Sequence, residues 1–261
     1  MDNKLPEEFI GIDAFFSAIR SKCSNEEEYA VELLKARGFL LNDGELSLSD
    51  NSHVKDEEFL DHLLKEGKIG RVSDGNLVMS NPQNMKVIFC INNHIGGEAF
   101  QTDEDWGKFV HNSHAPKICI SVLEPFVARY VKAISACGVS TWCSCDGNHP
   151  GKNSIHVNTI CGPNSLWHKI ICQKIISKKF KLNWNNIFEK IDFGEDNKWK
   201  TYFELNQAGE YLYNNREKLL EIRQKASRSI GNSRVRRLSD DELSKLFYEE
   251  ASKLIDQQLV I

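Results

Sequence analysis

The chain has 261 residues, a formal net charge of −4, 41% hydrophobic residues and 10% aromatic residues. That composition supports a packed core and excludes wholesale disorder. A net-negative molecule is not a general polyanion binder, so any nucleic-acid surface must be a local patch. No apolar run approaches the ~18–20 residues needed to span a bilayer, and the opening MDNKLPEEFIGIDAFF puts no basic stretch ahead of an apolar one. The expectation is a soluble, cytoplasmic protein with no membrane partner and with reduced thiols.

Residues 7–36 carry apolar positions at helical spacing, with Ser24 and Glu27 placed as a capping box for a second helical segment. GFLLNDGELSLS then reads as a hairpin around Asn42-Asp43-Gly44, DEEFLDHLLKE (56–66) as helix, and GRVSDGNLVMS as a hairpin turning at Asp74-Gly75. This 1–82 region follows the order helix, hairpin, helix, hairpin, which resembles a winged-helix layout; a plain helical lead-in fits equally.

NPQN at 81–84 marks a boundary. MKVIFCINN (85–93) reads as a buried central strand, and NHIGGEAF (93–100) as a glycine loop that leads to a short helix through Trp106 and Phe109. KICISV (117–122) reads as a strand and EPFVARYVKAISACG (124–138) as a helix stopped by Gly138. VSTWCSC and SIHVNTI form a strand pair around DGNHPGKN. PNSLWHKIICQKII (163–176) is a helix capped by Asn164 or Ser165, and FKLNWNNIFEKIDF holds one or two strand-like pieces. This 83–205 order predicts an α+β fold of ferredoxin-like or palm type, a mixed sheet with helices on one face. A helical segment, 206–261, follows; its last part, 238–258, is a capped amphipathic helix that either packs on the core or mediates a protein contact.

Chemistry concentrates in STWCSCDGNHPGKNSIHV (140–157), and six of the eight cysteines lie between Cys119 and Cys172. One reading is zinc, with Cys143, Cys145, His149, His156 and Cys161 as candidate ligands. The single residue between Cys143 and Cys145 departs from the usual knuckle spacing, and thiols packed as small hydrophobes are the competing reading. The other reading is a binding or catalytic hairpin. Gly147 and Gly151 permit positive φ and close backbone approach, Asp146 and His149 sit at the tip, and His156, between Ile155 and Val157, points away from the apolar face. There it could meet a phosphate or move a proton. An ordinary turn explains the same residues.

The run VIFCIN … FVARYVKAISACGVSTWCSCDGNHPGKNSIHV resembles the catalytic palm of archaeo-eukaryotic primase-polymerases, whose strand–turn–strand ends in Ser-x-His. Ser154-Ile155-His156 matches that element, and the resemblance implies that His156 contacts a nucleotide phosphate. Where that family carries Asp-x-Asp, this chain reads Cys90-Ile91-Asn92, with Glu98 the nearest carboxylate, which weakens any two-metal chemistry. Thr141-x-x-Ser144-Cys145-x-Gly147 is similar to a shorter motif of the tRNA wybutosine-synthesis methyltransferases, where the residue after the glycine is basic; here it is Asn148.

Elsewhere, His94 and Glu98 flank a double glycine after the 85–93 run, and His168 and Cys172, four apart on a helix, permit joint metal binding or simple packing. RQKASRSIGNSRVRR (223–237) holds Arg223, Lys225, Arg228, Arg234, Arg236 and Arg237 and no acid, a pattern suited to phosphate contact or to a solvated helix end. The leading expectation is a protein that binds nucleotide or nucleic-acid phosphates. If it is an enzyme, phosphoryl or nucleotidyl transfer fits, with His156 on phosphate, His149 at the turn, and Asp146 or Glu98 on a divalent ion, magnesium or zinc. The alternatives are a non-catalytic zinc-stabilised interaction module and a methyltransferase-like tRNA-modifying protein.

Overall fold

The structure is a computed structural model that describes residues 11–42, 47–65, 70–71, 77–78, 89, 105–148, 151–193, 198–231 and 237–259. Its elements are helices α1 (Asp13–Arg20), α2 (Glu26–Ala36), α3 (Val54–Lys65), α4 (Trp106–His111), α5 (Pro125–Ala136), α6 (Pro163–Ile171), α7 (Lys198–Asn214), α8 (Arg216–Ile230) and α9 (Asp240–Gln258). The strands are β1 (Gly70–Arg71), β2 (Leu77–Val78), β3 (Thr141–Cys145), β4 (Ser154–Thr159) and β5 (Lys190–Asp192). Helix and strand together make an α+β protein in which a three-stranded antiparallel sheet, order β3-β4-β5, is set among helices.

Helix α5 is the axis of the core. Every residue from Pro125 to Ser135 is buried, because α7 lies along it and α2 and the end of β3 close its other sides. Pro125 starts it where a missing N–H costs nothing, and Gly138, at φ +85, releases the chain after it. The buried apolar side chains form one cluster that runs from Ile12, just before the first helix, and Phe15 within it to Phe247 and Ile255 of the last. In α9, capped by Ser239 and Glu242 as a reciprocal box, the apolar stripe Leu243, Phe247, Ala251 and Ile255 packs against α8 and α6. That face of the helix is therefore used internally.

Several sequence expectations are met. Leu41 and Leu48 make an antiparallel bridge; β1 and β2 pair antiparallel; α4 runs through Trp106 and Phe109; and 190–192 supplies a strand, with Trp184 bridging its outer edge at Ile191. Others need correction. Phe89, the one described residue of the 85–93 run, is helical and fully buried rather than in a strand; His94 and Glu98 lie outside the described residues, as do the 81–84 boundary and the 43–46 and 72–76 turns. Within 117–122 the chain makes a 3-10 turn, Ile120–Val122, because the Ile120 N–H turns inward to the Asp56 carboxylate (2.8 Å) instead of a neighbouring strand. The cap of α2 is Asn25, whose Oδ1 accepts from the Glu28 N–H at 2.8 Å, while the Glu28 carboxylate accepts from the Ser24 N–H at 2.6 Å; the box is displaced by one residue from Ser24/Glu27. Gly162, not Asn164 or Ser165, precedes α6, and Asn164 is buried with its Oδ1 accepting from the Ser140 N–H at 3.0 Å. The long C-terminal helical stretch starts at Lys198, ahead of 206.

The β3–β4 turn depends on Gly147. It sits at φ +71, and a Cβ there would lie 2.1 Å from the Ser154 carbonyl oxygen, whereas Gly151, at φ +76, has open space around it. Gly151→Ala should therefore cost only the backbone term, about 1 kcal/mol. Gly147→Ala should add a clash of about 2 kcal/mol or more. Urea denaturation of the two variants beside wild type measures the difference.

Candidate functional site

Strand β4 alternates as its sequence demands. Ile155 and Val157 are fully buried against the helices, while Ser154, His156 and Asn158 share the opposite face. Antiparallel register extends that face sideways: Cys145 lies opposite His156 on β3, Lys190 opposite His156 on β5, Asp192 opposite Ser154, and Cys143 opposite Asn158. Within it the Ser154 hydroxyl and the His156 Nε2 are 3.1 Å apart, a hydrogen bond whose donor depends on the imidazole tautomer. The Asn158 amide donates to the Cys143 sulfur at 3.0 Å, and the Lys190 ammonium pairs with Asp192 at 2.7 Å, both side chains well exposed. A register shift between Thr141 and Cys143 breaks the edge strand at Trp142, which is 51% exposed.

Beneath the strand end sits a second group, which the sequence does not announce. Asp146, expected at the hairpin tip, is 2% exposed. Its Oδ2 accepts from the Phe126 N–H of α5 (3.3 Å) and its Oδ1 from the Asn148 N–H (2.9 Å), while its own N–H donates to the Glu124 carboxylate (2.5 Å). Glu124 is the residue before α5 and makes no cap of its own; Asp146, twenty positions on, caps that helix in its place. The Tyr202 hydroxyl of α7 donates to the Asp146 carbonyl (2.8 Å), and the Tyr202 ring stacks on Phe126 at 4.5 Å. Lys198 donates to the Asn148 side chain at 2.9 Å.

Burial pushes the Asp146 carboxyl up from the ordinary 3.8 to about 7, and the Glu124 carboxylate within hydrogen-bond reach of it adds to the rise. Burial also pushes the neighbouring Cys145 thiol up to about 11, again reinforced by Glu124, so at neutral pH Cys145 is a poor nucleophile. Arg37 is buried behind this region. Among the described residues its Nε and Nη1 have no hydrogen-bond partner, and Asp146 and Asp56 are nearby acidic groups that offset the cost of burying it.

Of the other candidates, His149, Arg234 and Arg236 lie outside the described residues. Arg223 is not presented to a polyanion: it is 2% exposed, donates to the Asn112 and Phe109 carbonyls (2.7 and 3.2 Å) and lies 3.9 Å over the Phe109 ring, where it closes the end of α4. Lys225 pairs with Glu221 at 2.6 Å; Arg228 and Arg237 are exposed. The zinc candidates Cys143 and Cys161 are exposed and Cys145 half-buried, and no three His, Cys, Asp or Glu side chains gather as a metal site among the described residues. His168 and Cys172 are buried and both turn to Tyr130: its hydroxyl is 3.0 Å from His168 Nε2 and 3.5 Å from the Cys172 sulfur. Burial pulls His168 down to about 4, leaving it neutral. The seven described cysteines are all free thiols. Among the described residues no helix is long and apolar enough to cross a membrane.

No protein-family model, curated protein or solved structure matches the chain. Its function must be argued from these side chains.

Glu124, Lys190, Tyr202 and Arg37 escaped the sequence reading. Lys190 had a usable signal, since it precedes the alternating pair Ile191-Asp192; Glu124 had none, because its partner comes from another element.

The folded protein holds the Asp146 proton more tightly than the unfolded chain does. The pair's contribution to stability is therefore complete below 3.8 and is lost as pH rises through about 7. Glu124→Gln removes the like charge yet keeps an oxygen to accept the Asp146 N–H and adds a donor for its carboxylate. Urea unfolding at a series of pH values should show wild type losing on the order of 4 kcal/mol across this window, and Glu124→Gln a visibly flatter profile.

Proposed function

We propose that the chain binds the phosphates of a nucleotide or nucleic acid on the outward face of β3–β4–β5. The observation that carries this reading is the hydrogen-bonded Ser154–His156 pair on the polar side of the central strand, with Lys190 directly across from His156. The bond between them spends one of the pair's donors, and Ser154 is 3% exposed, so the half-buried His156 is the member that meets a phosphate and Ser154 orients its ring. Lys190 supplies charge. Its bond to Asp192 is an exposed ion pair, worth about 0–1 kcal/mol, and a more highly charged phosphate can displace the carboxylate. The exposed Trp142 on the adjacent edge strand offers a ring on which a base can stack, and Lys152 stands exposed in the connecting turn. The palm resemblance points the same way, since its Ser-x-His element contacts a nucleotide phosphate.

In this reading Asp146 positions the hairpin and does not hold an ion. Both its oxygens are engaged by backbone N–H groups, and its raised pKa favours the neutral acid. The function proposed is therefore recognition. If a divalent ion takes part, its ligands come from outside the buried pair.

Fluorescence anisotropy with a labelled single-stranded oligonucleotide at two salt concentrations tests this. Binding should weaken as salt rises. It should fall about tenfold in Lys190→Ala and in His156→Ala, rise in Asp192→Asn, and stay unchanged in Lys225→Ala. Equal affinity in wild type and His156→Ala would remove the sheet face from the interface.

A further inference from the structure

A cavity of about 270 Å³ lies between α5 and the 114–118 stretch. Its lining combines the basic and polar Asn51, His114, Lys117 and Lys132 with apolar residues that include Leu40, Ile118 and Ala136. Lys132 is the unusual member. It is a lysine with 1% of its side chain exposed, held by the Asp56 carboxylate and by the Ile118 carbonyl at 2.7 Å. An ammonium has three N–H donors, so one of them has no partner among the described residues. The Asp56 carboxylate also accepts from the Ile120 and His53 N–H groups at 2.8 and 3.1 Å, so three of its four acceptor sites are used.

His114 and Lys117, by contrast, are exposed, so solvent reaches them. Lys117 donates to the Asp50 backbone carbonyl, not to a carboxylate, and lies close enough to Lys132 for its charge to oppose that ammonium. The Asn51 amide and the His114 imidazole make no side-chain hydrogen bond among the described residues. Two ammonium groups, an amide and an imidazole thus surround one small space, with donors left over and no acid among the lining residues. Burying an unpaired donor beside a like charge is costly, and an anion in the cavity would satisfy both.

The geometry points to a site for a phosphate monoester with a compact organic group, the phosphate held by Lys132, Lys117 and His114 and the organic part against Ile118 and Ala136. A tetrahedral phosphate uses several convergent donors beside the Lys117 charge, the Lys132 charge being offset by Asp56, which a flat carboxylate does less well. The volume is at the small end of ligand pockets, whose usual range begins at about 300 Å³. This site is separate from the sheet face and does not depend on it.

Isothermal titration with glycerol 3-phosphate, inorganic phosphate, propionate and glycerol tests the assignment on the full chain. Saturable binding of glycerol 3-phosphate should be at least tenfold tighter than propionate, with no binding of glycerol. It should weaken tenfold or more in Lys117→Glu, be lost in Ala136→Phe, which fills the cavity and leaves the charges, and be unchanged in Lys190→Ala. Lys132→Met strips Asp56 of its cation and is expected to unfold, so the rim and filling variants carry the test. No saturable binding, a preference for propionate, or full binding in Ala136→Phe would overturn the site.

Discussion

The fold hangs on an exchange of hydrogen bonds between the start of α5 and the end of β3. Asp146 caps α5 through the Phe126 N–H, and Glu124, the residue that begins that helix, accepts the Asp146 N–H in return. Neither bond is local. Each element supplies what the other lacks: a helix N-terminus needs an acceptor, and a strand leaving its sheet has an N–H that no partner strand will take. Placing two carboxyls together in a dry pocket carries a cost, which the raised Asp146 pKa registers, and the surrounding ring of Phe126, Trp199 and Tyr202 keeps water from relieving it.

From that clasp the geometry of the sheet follows. Once Asp146 is fixed under α5, the chain must reverse within a few residues. Gly147 makes the reversal possible, because only a residue without Cβ can pass so close to the Ser154 carbonyl. The return strand then enters in a register that sends Ile155 and Val157 inward and leaves His156 and Asn158 half-buried on the opposite face, with Ser154 on that face but covered. Tyr202 ties the same point to α7, the longest neighbour of the central helix. The polar face is thus rigid at its centre, while its charged members, Lys190 and Asp192, lie on the edge strand with exposed side chains.

Much of this could be read from the residues, and the failures have physical causes. The β3–β4 pair, its glycine turn, the helix over 125–136 and the outward direction of His156 all follow from local periodicity and turn chemistry, which short-range sequence carries. Asp146 misled because Asp-Gly-Asn is turn chemistry; the turn is there, but the carboxylate is taken by a helix end that is remote in sequence. Arg223 misled for the mirror-image reason. A basic run reads as a solvent-facing patch, and nothing in its composition shows that one guanidinium turns inward to the carbonyls at the end of α4. KICISV has strand-like composition, yet Asp56 from α3 captures the Ile120 N–H and bends the chain into a 3-10 turn. In each case a buried polar partner supplied by another element outweighed local preference.

The most direct test of the sheet face as a phosphate-binding surface is the side-chain NMR of His156. Its imidazole resonances can be assigned by comparison with His156→Ala and followed while a single-stranded oligonucleotide is titrated in at low salt. The account predicts a saturable shift of the His156 ring signals that reverses on adding salt, with the buried His168 unmoved. A His156 signal that stays in place while the oligonucleotide binds would contradict it and put the binding surface elsewhere on the molecule.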